Sequence, residues 1–227
     1  MRPALQCIAA LFLLFCAAPA RADLSVSQVI VDLAPDRPPR DDIEVWNNGG
    51  ERIYVVAEPS EIADPGLPDE RRVQQRDPEQ LGLLVSPNRM MLEPGQRRLL
   101  RIAALGTRGE RDRIWRVVVK PVVGQVTASQ SALKILVGYD VLVILRPPKP
   151  KGQVVESRQG RHLSLRNLGN TNIELFAGRQ CESSGGGCHD LPAHRLYAGA
   201  SWQQELPSDG PITYNVKIGG RTAPQRF

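Results

Sequence analysis

The chain has 227 residues, of which 41% are hydrophobic, 23% charged and 5% aromatic, with 20 Gly and 19 Pro. This is globular material, long enough for one large domain or two small ones. Lys and Arg outnumber Asp and Glu by 29 to 24, but no basic run exceeds two residues. The excess is therefore scattered, and a nucleic-acid partner is not expected.

The N-terminus has the form of an export signal. Arg2 gives a positive start, residues 8–16 form an apolar run about as long as a signal core, and Ala20-Arg21-Ala22 is an A-x-A cleavage site. Residues 1–22 are expected to be cleaved, and the apolar run is too short to span a bilayer. Phe15 ahead of Cys16 argues against lipoprotein processing. The expected product is an exported protein that is not inserted in a membrane and carries a formal charge of about +3 once Arg2 and Arg21 are gone.

From Asp23 onward no segment keeps a helical period; short apolar runs recur between Pro, Gly, Asn and Asp clusters, an all-β pattern. The expected strands of the first domain are 24–33, 42–47, 53–58, 83–86, 89–92, 97–103, 114–119 and a long one at 133–145. Turns at Asn48-Gly49, Asp64-Pro65-Gly66 and Glu93-Pro94-Gly95 separate them. That count of short strands suits an immunoglobulin-like sandwich over 23–146. The loop between Ala63 and Glu79, rich in Asp, Arg and Pro, reads as a mobile surface excursion, with a partner contact as the alternative.

Pro147, Pro148 and Pro150 make 147–151 a stiff extended linker. Beyond it, 152–227 carries a second set of strands at 153–155, 162–167, 173–177, 196–197, 201–206 and 212–218, a smaller β-sandwich.

Once the leader is removed, Cys181 and Cys188 are the remaining cysteines. In an oxidising compartment they read as a disulfide stapling one loop; the rival is a metal site with His189 and His194. No H-E-x-x-H, G-x-S-x-G or phosphate-cradling glycine loop is present. The acidic groupings Asp41-Asp42, Asp64 and Asp69-Glu70 fall in Pro-rich turns and read as loop charges. No enzyme activity, catalytic residue, metal or cofactor is expected.

The segment 133–145 is apolar at nearly every position. It fits a central strand buried on both faces. It also fits an edge strand that presents Leu133, Ile135 and Val137 by period-two alternation, with Tyr139 closing the row. Context bears on the choice. The run from Ser86 to Ile102, with Pro87, Leu92, Pro94-Gly95 and Arg101-Ile102, resembles the P-x-x-x-x-L-x-P-G-x-x-x-x-x-R-[IL] motif of PapD-like periplasmic pilus chaperones. Ile114-Trp115-Arg116-Val117 resembles the start of their next-to-last first-domain strand, and Leu145-Arg146-Pro147 the exit of the last one. Asn167-Leu168-Gly169-Asn170 is similar to the hairpin opening their second domain. The Cys pair followed by Leu196-Tyr197-Ala198-Gly199 looks like the variant branch that serves colonisation-factor and other non-PapD pili.

The resemblance implies two immunoglobulin-like domains joined at an angle, in the periplasm. It implies pilus or fimbrial subunits and an outer-membrane usher as partners. A subunit of this kind is a sandwich lacking its last strand, and the chaperone lends its own strand to the open groove. Burying Leu133, Ile135 and Val137 there is worth roughly 5 to 8 kcal/mol before the costs of association. The structural or adhesive pilus-associated protein is the alternative role for such a fold. The family anchors the subunit's terminal carboxylate with an Arg and a Lys, at positions held here by Gln28 and Leu142. Arg116 is the substitute candidate and Lys120 the second; Arg116 paired with a neighbouring carboxylate on a solvated face is the other reading. The resemblance also pairs Arg146 with Asp112 across the interdomain joint, with the family's third member replaced near Lys217.

Overall fold

The computed structural model describes residues 23–122, 136–181 and 187–227; the leader at 1–22 and two residues of the outward row, Leu133 and Ile135, lie outside them. The fold is all-β, in two sandwiches. The segment expected as one strand at 24–33 is two. β1 (Leu24–Val26) pairs antiparallel with β3 (Arg40–Asn47). β2 (Ile30–Leu33) crosses to the other sheet and pairs in parallel with β10 (Tyr139–Leu145). One stretch of chain thereby closes an edge of both sheets and leaves fewer unpaired backbone groups.

The first sheet runs β1, β3, β8 (Arg97–Ala104), β6 (Leu83–Ser86). The second runs β2, β10, β9 (Arg113–Val122), β4 (Ile53–Ala63), β5 (Arg71–Val73), with β7 (Arg89–Leu92) also on β4. Alternation fills the space between them: Ile43 and Val45, Leu100 and Ile102, Trp115 and Val117, Val141 and Val143 all point inward and are buried. The Trp115 indole has no water to donate to, and its Nε1 donates instead to the Leu81 carbonyl at 3.0 Å.

The region expected as a mobile excursion is ordered by its own chemistry. β4 continues to Ala63, β5 returns along it, and a short helix α1 (Pro78–Leu81) follows, capped by the Asp77 side chain on the Glu79 amide at 2.9 Å. Gly82 ends α1 at a φ of 71°. A Cβ there would lie 2.1 Å from Arg113 Nη1, so only glycine admits the guanidinium that binds both oxygens of Glu61. Leu67, in the same region, packs against the core of the second domain. The excursion is thus a contact between the domains.

In the second domain one sheet is β11 (Val154–Gln159), β12 (His162–Asn167) and β16 (Ser201–Glu205). The other is β14 (Cys188–Leu191), β13 (Ile173–Cys181), β17 (Ile212–Ile218) and β18 (Arg221–Arg226), with β15 (His194–Leu196) also on β13. Cys181 and Cys188 face each other in the β13–β14 register and are joined as a disulfide. The thiols are therefore tied to each other, and His194 is stacked flat on Trp202 at 4.5 Å instead of joining them in a metal site. Tyr214 fills the centre of this core; its Oη is 3.2 Å from the Pro192 carbonyl and 3.1 Å from Gln204 Oε1.

A buried ionic joint ties the two domains. Arg146, at the exit of β10, donates from Nε and Nη2 to both oxygens of Asp32 at 2.8 Å, and from Nη1 to the Thr171 hydroxyl at 2.6 Å. That hydroxyl donates on to Asp112, which also accepts from the Asn172 backbone and side-chain amides at 2.6 and 2.7 Å. Arg146 and Asp112 lie 3.5 Å apart, each with a side chain 4% exposed. Burial pushes the Asp112 carboxyl up, against the pull of Arg146 and these hydrogen bonds. Burial also opposes the Arg146 charge, but Asp32 and Asp112 outweigh it and raise the guanidinium above its ordinary range. Glu174 occupies the place opposite Lys217, at 3.8 Å, and holds Arg195 at 3.0 Å.

Two expected outcomes follow from this packing. Arg146→Ala leaves Asp112 buried without its counter-charge and should cost about 3 to 5 kcal/mol in urea unfolding; an unchanged midpoint would remove the joint from the stability account. Burial pushes the Tyr214 hydroxyl up to about 12. An unfolded tyrosine ionises near 10, so this group's stabilisation is whole below about pH 10 and is lost as pH rises towards 12. Tyr214→Phe should flatten that alkaline loss in urea melts taken across the range.

Candidate functional site

β10 carries apolar residues on both faces, and the two faces lead to different places. Tyr139, Val141, Val143 and Leu145 face the core of the first sandwich. Leu142 and Ile144 face outward, yet they are buried in a separate cluster with Ile62 of β4 and Ile114 of β9, covered by Tyr197 of the second domain. The sandwich strand and the domain interface are built from alternate residues of one segment.

The strand expected at 133–145 is β10 only from Tyr139 on, and residues 136–138 ahead of it are not strand. Its pairing with β9 begins at Tyr139 opposite Val119, while β9 runs on to Val122. Val137 has the same parity as the core-facing residues but lies past the end of the pairing, and it is 46% exposed. Tyr139, expected to close the outward row, packs against the core of its own domain and donates its hydroxyl to the Leu24 carbonyl at 3.1 Å. It is therefore committed to the core of the first sandwich, and the described part of the row consists of Val137. Leu133 and Ile135 continue the same parity in the sequence and lie outside the described residues.

The family positions held by Gln28 and Leu142 do different work here. Gln28 donates its side-chain amide to Asp41 at 2.9 Å on the exposed rim. Leu142 is a packing residue in the interdomain cluster, so a cation at that position would be buried in an apolar site. Of the two substitute candidates, Lys120 is already paired with Glu58 at 2.8 Å. Arg116 is opposite Leu142 in the β9–β10 register, beside the interface, and donates from Nη1 to the Asp140 carbonyl at 3.3 Å. The Asp140 carboxylate is held by Arg72 rather than by Arg116. Among the described residues Arg116 thus retains donors without a carboxylate, next to Tyr197, whose hydroxyl burial pushes up against the pull of Arg116 and Arg195.

Asp32 was not among the residues singled out from the sequence, although it binds Arg146 in the fork geometry. Its signal is an acid at an exposed position of β2, between the buried Val31 and Leu33. Thr171 and Asn172 were likewise missed, because only the approach of the second domain makes them ligands of Asp112.

No protein-family model and no curated protein sequence matches the chain. Solved structures do match, over both domains. The class 5 fimbriae chaperone CfaA has a TM-score of 0.65 at 18% identity, over 89% of this chain and 98% of that one. A chain from the complex of the Salmonella enterica SafA pilin with the SafB chaperone has a TM-score of 0.63 at 19% identity, over 92% and 98%. The E. coli chaperone DraB has a TM-score of 0.61 at 18% identity, over 90% and 96%. The two-sandwich fold of this chain is therefore the fold of fimbrial chaperones.

Leu142→Ala opens a cavity beneath Tyr197 and is expected to cost about 2 to 4 kcal/mol in thermal or urea unfolding. Leu142→Met, which keeps the volume, should recover most of that loss.

Proposed function

We propose that this protein is a periplasmic assembly chaperone that holds pilus or fimbrial subunits by lending them the segment ahead of β10. The observation that carries the reading is Val137: an exposed apolar side chain, two residues ahead of the start of β10 and in phase with its buried row. A subunit groove lacking one strand would take main-chain hydrogen bonds from this segment and pack Leu133, Ile135 and Val137 into its open core. The fold shared with CfaA and with a chain of the SafA–SafB complex supports the assignment. No covalent step is involved; the bound subunit is released when another strand replaces the lent one at an outer-membrane usher.

In this reading Arg116 captures the subunit's terminal carboxylate. A guanidinium fork suits bidentate capture, and its place beside the domain interface supports the role. Lys120 is disfavoured because capture would require giving up Glu58. The buried joint around Arg146 serves by holding the second domain at a set distance from that site.

Co-purification from the periplasm of the native host tests the proposal. The parent protein should bring down a small secreted sandwich protein at about one to one. Ile135→Asp or Val137→Asp should abolish that recovery while leaving the melting temperature unchanged, and Arg116→Ala should weaken it. Undiminished recovery with a folded Ile135→Asp variant would refute strand lending. A partner-free parent, from cells making the pilus, would favour a structural or adhesive role.

A further inference from the structure

β18 is the outer strand of its sheet, and all six of its residues are exposed. Ile212 and Phe227 exchange both backbone hydrogen bonds, at 3.2 and 3.0 Å, which sets the phase of the ladder. In an antiparallel pair such exchanges recur at every second residue. Arg221, Ala223 and Gln225 therefore direct their backbone groups at β17, while Thr222, Pro224 and Arg226 direct theirs outward. The N–H that Pro224 lacks falls on the outward side, where the existing ladder loses nothing. The free edge still offers the amides of Thr222 and Arg226 and three carbonyls.

This edge borders a groove of about 1140 Å³ between the linker, the hairpin after β12 and the β17–β18 turn. Arg111, Lys151 and Arg221 line it, with Pro150 and the 52% exposed Leu168 as apolar contacts, and no Asp or Glu contributes to the lining. None of the three cations has a side-chain partner among the described residues. Arg52, Arg101, Arg113 and Lys120, by contrast, each hold a carboxylate.

We propose that this groove binds an acidic, extended segment of a partner protein, which adds as a strand to the free edge of β18. Uncompensated positive charge beside an open hydrogen-bonding edge is complementary to such a segment. A second copy of this chain does not fit: β18 carries Arg221 and Arg226 and no acid, so pairing two β18 edges would bring like charges together with no carboxylate to answer them. The strand edge lies on the second domain, with Arg111 of the first domain and Lys151 of the linker beside it, and the site is separate from the segment proposed for strand lending.

Amide NMR of the whole exported chain tests it, with a ten-residue peptide alternating Glu and Thr as probe and one alternating Lys and Thr as control. The acidic peptide should shift the Thr222 and Arg226 amides, and added salt should weaken it. Combined Arg111→Glu, Lys151→Glu and Arg221→Glu substitutions should lower its affinity at least about tenfold. N-methylating alternate residues of the peptide in one of the two phases should abolish binding. Should the triple variant not fold, Arg221→Gln alone must still weaken the acidic probe. No shift at about 1 mM peptide, shifts confined to the first domain, or equal binding of the basic control would overturn the proposal. Tighter binding to phosphatidylglycerol vesicles or to a dT oligonucleotide would overturn it in favour of those partners.

Discussion

The Arg146 guanidinium is the constraint on which the rest of this structure depends. A buried charge is tolerated only when its donors are met, and here the partners come from three places: Asp32 on β2, Thr171 at the opening of the second domain, and Asp112 just ahead of β9. Because Asp112 is itself satisfied by Asn172, the two domains share one hydrogen-bonded unit. Asn170 reinforces it by donating to the carbonyls of Glu110 and Lys149. Misplacing any of these elements would strand a charge or an amide without water, so the joint selects one arrangement more than it adds to stability.

That joint anchors one end of β10, and the strand's alternation distributes the consequences. The inward residues complete the first core; the outward residues Leu142 and Ile144 form the cluster covered by Tyr197. A strand buried on both faces can hold no lysine cheaply, which accounts for an apolar residue at Leu142. The capture role proposed for Arg116 rests on the same geometry: it is opposite Leu142 in the register, half-buried beside the apolar cluster.

The sheet edges of the molecule are handled in opposite ways. In the first domain the parallel pairing of β2 with β10 and the sheet switch after β1 cover edges, while β9 outruns β10 and leaves an apolar residue exposed beside it. In the second domain β18 ends its sheet with two arginines, no acid and a proline whose missing donor faces outward, so a second β18 would meet like charge.

Much of this was legible in the residues. Alternation located β6, β7, β12 and β17 and approximated the other core strands, because a half-buried strand must repeat with period two. The cysteine pair, left with no other thiol after the leader, read as the disulfide that joins β13 to β14. β5, β14 and β18 were not legible: they are short or polar, and they are strands only because a neighbour offers them a ladder. The sheet switch within 24–33 escaped notice for a related reason, since both halves alternate in the same way whichever sheet they join. Local sequence by itself determined the all-β class and the two sandwiches, and set the parity that Val137 shares with the core-facing residues of β10. Only the tertiary structure decided that Asp32, Thr171 and Asn172 close around Arg146 and Asp112, that Leu67 and Tyr197 bridge the domains, and that Lys120 is already paired. Those depend on which distant side chains share a desolvated space, and no spacing along the chain encodes that.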